Sequence, residues 1–254
     1  MKIENKPSAF IVNDIINSFP SDRELHIGFL GYHDVMLTDQ QWNSIGDVGL
    51  LENRPNSTKL KEIHSRPDVN IVPTIKSWMG MYKPTVTYDV FDFTKYEGEE
   101  IEIDFNYPID SFYHNRYDII VDIGTLEHVF NFAQALSNVL QMTKEGGVIL
   151  NHGPLCQPNH GFYGYNPTLF ADFYIDNGCE IIDIALQTII GPGNIAGVSG
   201  IPLFDRFNLM QIYQSNPQLN GREFNLLVLT KKNQTVENIV YPIQRKYRSK
   251  DQWM

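Results

Sequence analysis

Acidic side chains recur where predicted strands of this sequence end, and a carboxylate at such a position can bind a nucleoside. Asp92 lies at the end of the β-branched and aromatic run 84–93 and can accept hydrogen bonds from both hydroxyls of a ribose, with Asp89 as the second candidate. Asp104 can accept from an adenine amino group, and Phe105 beside it offers an apolar contact. Taken alone, each acid is more often a cap or turn residue. Their recurrence at successive strand ends favours a binding site.

Histidines form the second set of candidate groups. His128 follows the fourth predicted strand, His152 follows the fifth, and His160 lies in the loop 158–161. We expect all three to face one edge of the sheet, because the carboxyl ends of parallel strands meet there. Histidine can accept a proton near neutral pH, so His160 and His152 are the first candidates for a general base and His128 is the third. Tyr163 is a candidate for holding the molecule that loses the proton.

Each of these histidines also has a structural interpretation. His128 could support the helix that follows it, and His152 could hydrogen-bond the loop that begins at Gly153. No pair of histidines and acids has a recognisable ligand spacing, so the sequence predicts no metal site. Aromatic residues after the fifth strand divide into candidates for an acceptor pocket before Pro167 (Phe162, Tyr163, Tyr165) and predicted core residues after it (Phe170, Phe173, Tyr174).

Strands alternate with helices in the elements that must position these groups. Apolar or β-branched runs predict strands at 25–37, 84–93, 100–104, 117–123, 148–150, 180–190 and 223–230. Helical spacing predicts a first helix behind Ser8, a helix over 130–142 that stops at Glu145-Gly146-Gly147, and a helix from Asn166-Pro167 to Asn177-Gly178. The stretch 38–73 is predicted as loop with one short helix at 59–64. This alternation predicts an α/β, Rossmann-like, doubly wound and mostly parallel sheet of about seven strands with helices on both faces.

The overall composition limits the partners that we expect. The formal net charge of -10 leaves no broad basic surface for extended nucleic acid, and the basic stretch from Lys231 to Lys250 is predicted to be a solvated tail. No apolar run approaches the roughly twenty residues of a membrane-spanning helix. With two cysteines and no predicted signal peptide, we expect a cytoplasmic protein. A homodimer remains open.

Two nucleotide-binding patterns are missing from the sequence. No G-x-G-x-x-G follows the first predicted strand, which argues against a dinucleotide-dependent oxidoreductase. There is no P-loop either, and the glycine-rich run 191–200 lacks its Gly-Lys-Ser/Thr ending. That run is therefore predicted to be a flexible loop.

Several motifs, in order along about 25–190, resemble the class I S-adenosylmethionine-dependent methyltransferases. The segment 117–129 (YDIIVDIGTLEHV) resembles the family's fourth strand and the "LEH" segment after it, and 144–149 (KEGGVI) is similar to its turn into the fifth strand. The chain also resembles a little-characterised bacterial subgroup through the stretches YEG at 96–98, DFNYPI at 104–109, HGFY at 160–163 and PTLFADFY at 167–174. The ordered combination is more specific than any single motif.

The resemblance implies S-adenosyl-L-methionine as cofactor. It implies that the methionine end lies near Gly31, Asp122 and Gly124, the ribose near Asp92, and the adenine near Asp104 and Phe105. One departure stands out after the first strand, where Tyr32 and His33 occupy positions at which further glycines are common in the family. The contact of that loop with the cofactor is therefore open.

The predicted organisation is one domain over 1–254. It comprises an N-terminal helix within 1–23, a cofactor-binding core at 24–190, a loop insertion at 191–222, and a last strand with a basic C-terminal tail at 223–254. The leading functional hypothesis is in-line O-methylation of a small-molecule or glycan acceptor, such as a sugar or another hydroxylated metabolite, with a histidine base. The alternative is a catalytically silent Rossmann-like binding or scaffold protein.

Overall fold

The computed structural model describes residues 2–82, 85–98, 100–191, 194–201, 209–219 and 222–248. Its strands are β1 (Leu25–Leu30), β2 (Val86–Asp92), β3 (Ile101–Glu102), β4 (Tyr117–Ile123), β5 (Thr143–Pro154), β6 (Cys179–Gly191), β7 (Asn194–Ser199) and β8 (Asn225–Lys232). They form one eight-stranded sheet in the order β3-β2-β1-β4-β5-β8-β6-β7. The pairs from β3 to β5 are parallel, and β8 and β7 run antiparallel to their neighbours.

The helices are α1 (Ser8–Ser18), α2 (Asp39–Ile45), α3 (Ser57–Ile63), α4 (Ile75–Gly80), α5 (Phe132–Met142), α6 (Pro167–Asp176) and α7 (Leu209–Ser215). Short 3-10 turns occupy Val48–Leu50, Ser111–Tyr113, Leu126–His128, Pro217–Leu219 and Arg245–Tyr247. Across the described ranges, every helix is too short or too polar to cross a membrane.

Helices cover both faces of the sheet, because side chains of a buried strand alternate between them. In β4, Ile119 and Val121 enter the apolar cluster that contains α1, α2 and α4, whereas Ile120 enters the cluster that contains α5 and α6. The predicted doubly wound, mostly parallel fold is therefore confirmed, with eight strands in place of about seven. Strand order reverses between β1 and β4, and ligands of such sheets bind beyond the carboxyl ends of strands near that point.

The largest difference from prediction lies in the segment after β1. β1 ends at Leu30, seven residues before the predicted end, because Gly31 turns the chain at φ +77°. The predicted loop 38–73 contains α2 as well as the expected short helix α3. A capping box between Thr38 and Gln41 starts α2, and the buried Trp42 packs edge-on to Trp78 of α4 at 6.1 Å between ring centroids.

Several element boundaries also differ. α5 begins at Phe132 behind its cap Asn131, and β5 starts directly after it, so the predicted stop at 145–147 is wrong and those residues belong to the strand. The predicted loop insertion 191–222 contains β7 and α7 among its described residues. Pro84, the predicted start of the second strand, lies outside the described residues. The N-cap of α1 is Pro7, and Ser8 is instead the first residue of the helix.

Part of the basic C-terminal stretch is packed against the domain, whereas Lys231 and Lys246 are exposed. Lys232 is fully buried, and its Nζ donates to the backbone oxygens of Leu140 and Thr143 and to Asn115 Oδ1. Arg245 and Arg248 pair with acidic residues of α6. Lys250 lies outside the described residues. The prediction of a solvated tail is thus wrong for these three side chains, because each has found buried or acidic partners.

Candidate functional site

A cavity of about 270 Å³ lies at the carboxyl edge of the sheet, beyond β2, β3 and β4. It brings together Asp92, Asp104, Phe105 and Gly124, all of which the sequence predicts as cofactor-binding residues, and His128, a predicted base candidate. Its remaining lining residues are Phe93, Ile103, Asn106, Thr125 and Val129. The structure therefore collects residues from three strand ends into one site, as expected for the reversal point of an open sheet.

The two acids of the cavity are held differently. Asp92 ends β2, and its Oδ1 accepts a hydrogen bond of 3.4 Å from the N–H of Thr94. Asp104 Oδ1 accepts from the backbone N–H of Asn106 at 2.9 Å and from its side-chain amide at 2.7 Å. The turn interpretation of Asp104 thus holds for one oxygen, while Oδ2 makes no hydrogen bond to the part of the chain that the structure describes. A carboxylate fixed through one oxygen can present the other to a ligand.

Apolar side chains form the other walls. Phe93 is 68 % exposed because β2 ends at Asp92 and the chain turns there. Phe105 is almost fully buried and packs edge-on to Phe91, so only a small part of it reaches the cavity. Sequence reasoning assigned Phe93 to the strand and missed it as a wall residue. The available signal was an aromatic residue directly after the strand-ending acid.

Gly31 lies behind the cavity wall rather than in it. Its N–H donates to the backbone oxygen of Phe91 at 2.7 Å, and a β-carbon at this position would overlap Thr125 Oγ1. The Thr125 hydroxyl itself donates to the backbone oxygen of Leu30 at 2.6 Å. Glycine is required at this turn by its positive φ and by the close approach of Thr125, which lines the cavity.

The segment after Gly31 is closed by aromatic and charged contacts. The Tyr32 hydroxyl accepts from the N–H of Ile75 at 2.8 Å, and the Arg54 guanidinium lies 4.5 Å above the Tyr32 ring. Arg54 is buried and pairs with both Asp34 and Glu97. The positions at which the methyltransferase family often has further glycines are therefore filled by side chains.

Asp122 is fully buried and does not line the cavity. Its Oδ1 accepts from two backbone N–H groups of the turn after β4, and its Oδ2 accepts from Asn151 Nδ2 at 3.0 Å and from the Tyr165 hydroxyl at 2.7 Å. Burial raises the pKa of Asp122 to about 7, and the nearby charge of Glu127 adds to this. The structure gives Asp122 the role of holding the turn that carries Gly124.

Two of the candidate histidines converge on a glutamate. His128 Nε2 lies 4.0 Å and His160 Nε2 lies 3.5 Å from Glu127 Oε1, and the two imidazole centroids are 5.3 Å apart. We call these three side chains the Glu-His-His cluster. Burial raises the pKa of Glu127, and burial together with the charge of His160 lowers the pKa of His128. Sequence reasoning missed Glu127, although it stands beside His128 in the "LEH" segment.

His152 does not join this cluster. It lies within β5 instead of in a loop after it, and its Nδ1 is 2.7 Å from Ser8 Oγ on α1. Burial lowers its pKa to about 4, and the neighbouring His33 contributes. Both histidines line a second cavity of about 240 Å³ on the α1 side of the sheet. Neighbouring strand residues face opposite sides, so Asn151 faces α6 while His152 faces α1.

The aromatic residues near position 163 differ in how far they are buried. The Tyr163 hydroxyl donates to the backbone oxygen of Phe130 at 2.8 Å, and Phe162 packs edge-on to the Phe130 ring. Phe162 and Tyr163 remain exposed. Tyr165 is buried and donates to Asp122, so its predicted place in an acceptor pocket is wrong. The core prediction for Phe170, Phe173 and Tyr174 is confirmed.

No family model matches the chain, and no curated protein matches its sequence. Among solved structures, the CurJ carbon methyltransferase is similar with a TM-score of 0.47 and 12% identity over 89% of this chain and 54% of that chain. This chain therefore spans about half the length of that protein. The O-methyltransferase of a trans-AT polyketide synthase multienzyme of Brevibacillus brevis, in complex with S-adenosyl-L-homocysteine, has a TM-score of 0.45 and 12% identity over 87% of this chain and 71% of that chain. The [4+2]-cyclase SpnF has a TM-score of 0.39 and 10% identity over 89% and 80%. None of these likenesses assigns a reaction to this chain.

Proposed function

We propose that this protein is an S-adenosylmethionine-dependent methyltransferase that acts on a hydroxyl of a small-molecule or glycan acceptor. One observation carries the proposal: Asp92 and Asp104, at the ends of neighbouring strands, line one cavity, and His128 of the Glu-His-His cluster lines the same cavity. Two carboxylates that could recognise a nucleoside and an imidazole that could take up a proton therefore line the same cavity. The motifs that resemble the methyltransferases include seven of the ten residues that line this cavity, but not Asp92, Phe93 or Ile103.

The residues of the cavity fit the adenosine half of the cofactor. Asp92 can accept from the ribose hydroxyls, the second oxygen of Asp104 can accept from the adenine amino group, and Phe93, Ile103 and Val129 offer apolar surface to the base. A volume of about 270 Å³ is just below the roughly 300–1,000 Å³ of ligand pockets. The cavity therefore suits a nucleoside, and the methionine half would extend beyond it. That Gly31 and Asp122 lie near the methionine half stays a prediction.

The bound sulfonium supplies an activated methyl group, so the protein must align the acceptor hydroxyl and dispose of its proton. The Glu-His-His cluster borders the cavity and is the set of groups that can do so. In a metal-free cluster, His160 or His128 would accept the proton, with Glu127 beside the imidazole to stabilise its charged form. Tyr163 is near this cluster through its contact with Phe130. We assign no role in the transfer to His152, which lies on the other face of the sheet.

Calorimetric titration with S-adenosylhomocysteine tests the cofactor site. We expect saturable binding by the wild type, a weakening of about tenfold in Asp92→Asn and in Asp104→Asn, and unchanged binding in Asp22→Asn, an exposed acid elsewhere. Tenfold corresponds to about 1.4 kcal/mol, close to one hydrogen bond to a charged group. Equal affinity in all variants would place the site elsewhere. No binding by folded wild type would reject the methyltransferase.

One observation favours a second candidate, a Rossmann-like binding or scaffold protein without catalysis. Arg54, Tyr32 and Asp34 close the loop that more often carries glycines in methyltransferases. A closed loop leaves less backbone free for the methionine end of the cofactor. This candidate predicts a folded protein that does not bind S-adenosylhomocysteine, so the same titration separates the two.

A further inference from the structure

The Glu-His-His cluster has the donor atoms of a metal site. One ligand atom from each of Glu127, His128 and His160 lies within 4.8 Å of the others. We propose that the cluster binds one divalent first-row transition-metal ion, and that this ion anchors the acceptor oxygen. Two imidazoles with one carboxylate are a common ligand set for such ions. This proposal departs from the sequence analysis, which predicts no metal site because it considers only the spacing of ligands along the chain.

The state of Glu127 points to a missing partner. Its side chain is fully buried, and its Oε1 makes no hydrogen bond to any residue of the described ranges. The Tyr165 hydroxyl oxygen, whose proton is directed to Asp122, lies 3.3 Å from the other oxygen, Oε2, while Oε1 lies toward the two imidazoles. A buried carboxylate oxygen that accepts no hydrogen bond and has only imidazole nitrogens at 3.5 and 4.0 Å is costly, and a cation bound between these groups would lower the cost.

The loop that carries His160 is fastened to the segment that carries His128. The N–H of Phe162 donates to the backbone oxygen of Glu127 at 2.8 Å. Gly161 has φ +73°, and a β-carbon there would stand 2.8 Å from that same oxygen. The Tyr163 hydroxyl completes the contact at the backbone oxygen of Phe130. The segment of His128 and the loop of His160 are distant in sequence, and these hydrogen bonds hold them together at the cluster.

The ligand atoms of the cluster need to move only a short distance toward one another to bind a metal ion. Metal bonds to imidazole nitrogen or carboxylate oxygen of about 2.0–2.2 Å place neighbouring ligand atoms about 3.0–3.5 Å apart. His160 Nε2 is already 3.5 Å from Glu127 Oε1, and the side chains of His128 and His160 are 53 % and 49 % exposed. Half-exposed imidazoles can rotate toward a fixed glutamate, so the cluster can close by about 1 Å without moving the core.

The position of the ion would define the acceptor, and this part rests on the proposed function. Three protein ligands leave coordination positions open, and His128 lines the cofactor cavity, so an oxygen bound there stands next to the cavity. Bound metal lowers the pKa of a coordinated hydroxyl, whose proton then passes to solvent. Coordinated imidazoles keep no lone pair at Nε2, so the ion takes the place of a histidine base. An acceptor with two adjacent oxygens, such as a vicinal diol, suits the open positions.

Metal titration of tag-free, chelator-treated full-length protein tests the site. We expect one equivalent of Mn²⁺ or Zn²⁺ to bind by calorimetry and Co²⁺ to give a visible absorption band. Affinity should fall at least about tenfold in His128→Ala, His160→Ala and Glu127→Gln. The control is His64→Ala, an imidazole of similar exposure beside a single carboxylate, Asp34, at 3.3 Å. It should bind like the wild type.

The outcomes are distinct because metal binding is measured without S-adenosylhomocysteine. Equal affinity of His160→Ala and the wild type, or no binding by folded wild type, would overturn the metal site while intact S-adenosylhomocysteine binding kept the proposed function. Metal binding lost only in the three cluster variants would support the site. If the metal bound and S-adenosylhomocysteine did not, the ion would stand and its role in holding a methyl acceptor would be rejected.

Discussion

Alanine in place of Gly31 should destabilise the protein through backbone strain and through one steric contact, with Thr125. Gly31 has φ +77°, and a β-carbon there would overlap the Thr125 hydroxyl, which is bonded to the backbone oxygen of Leu30. Gly146 is the matched control, because it has the same φ of +77° and nothing within 4 Å of a built β-carbon. The difference between Gly31→Ala and Gly146→Ala therefore isolates the steric contact from the backbone strain.

The magnitudes follow from these two contributions. A left-handed backbone costs an alanine about 1–2 kcal/mol, and the lower entropy of the unfolded chain returns about 0.4–1 kcal/mol, so Gly146→Ala should lose about 0–1.6 kcal/mol. Overpacking adds about 1–3 kcal/mol, so Gly31→Ala should lose about 1–4.6 kcal/mol. Thr125→Ala alone removes one hydrogen bond, worth about 1 kcal/mol.

Urea unfolding followed by circular dichroism measures these losses, and the double variant decides the cause. Thr125→Ala removes the hydroxyl that the new β-carbon of Gly31→Ala would strike, so the double variant should be more stable than the sum of the single losses by about 1–3 kcal/mol. Additivity within about 0.5 kcal/mol would refute the reasoning, since it would mean that the two side chains do not interact. Equal losses in Gly31→Ala and Gly146→Ala would refute it independently.

Two further predictions concern charged side chains away from the cavity. Burial raises the pKa of Asp118, but Lys144 and the N–H of His26 outweigh it and lower the pKa overall, so its stabilisation is present above about pH 4 and lost as pH falls through the lowered pKa. Urea midpoints at about pH 6 and about pH 3 should therefore fall more in the wild type than in Asp118→Asn. Lys232→Met should lose about 1–3 kcal/mol by leaving buried carbonyls unpaired, whereas exposed Lys231→Met should stay within about 0.5 kcal/mol, both from urea unfolding.

The fold could be predicted where periodicity and caps agree. β4 has the predicted bounds, Tyr117–Ile123, because a short apolar run interrupted only by Asp118 and Asp122 is typical of a strand buried on both faces. α6 follows Asn166 and Pro167 as expected, since asparagine caps and proline suits the first turn. The helix α2 was missed although Thr38 and Gln41 form a capping box, because its seven residues show too little periodicity behind that cap.

The cavity could be predicted in part. Asp92, Asp104 and Gly124 share it because strand ends of a parallel sheet meet at one edge, a property that sequence order alone implies. Sequence order does not tell which face a side chain takes at a strand end. Asp122 and His152 were assigned to the same edge, yet Asp122 turns into the core beneath α6 and His152 turns toward α1. A shift of one residue decides the face. The predicted fifth strand ended at Leu150, before His152, whereas the bounds of β4 were predicted correctly but do not tell which face Asp122 takes.

The Glu-His-His cluster shows what sequence spacing leaves out. His128 and His160 have no local ligand spacing, and they meet because Gly161, with φ +73°, lets its loop approach the backbone of Glu127 closely enough for the Phe162 N–H to bond there. The glycine after His160 and the glutamate before His128 are visible in the sequence. Their role in the cluster depends on a contact between two loops, and neither helical nor strand periodicity predicts that contact. A cluster assembled this way can be found by asking which buried carboxylate oxygen accepts no hydrogen bond, a property that only the folded chain has.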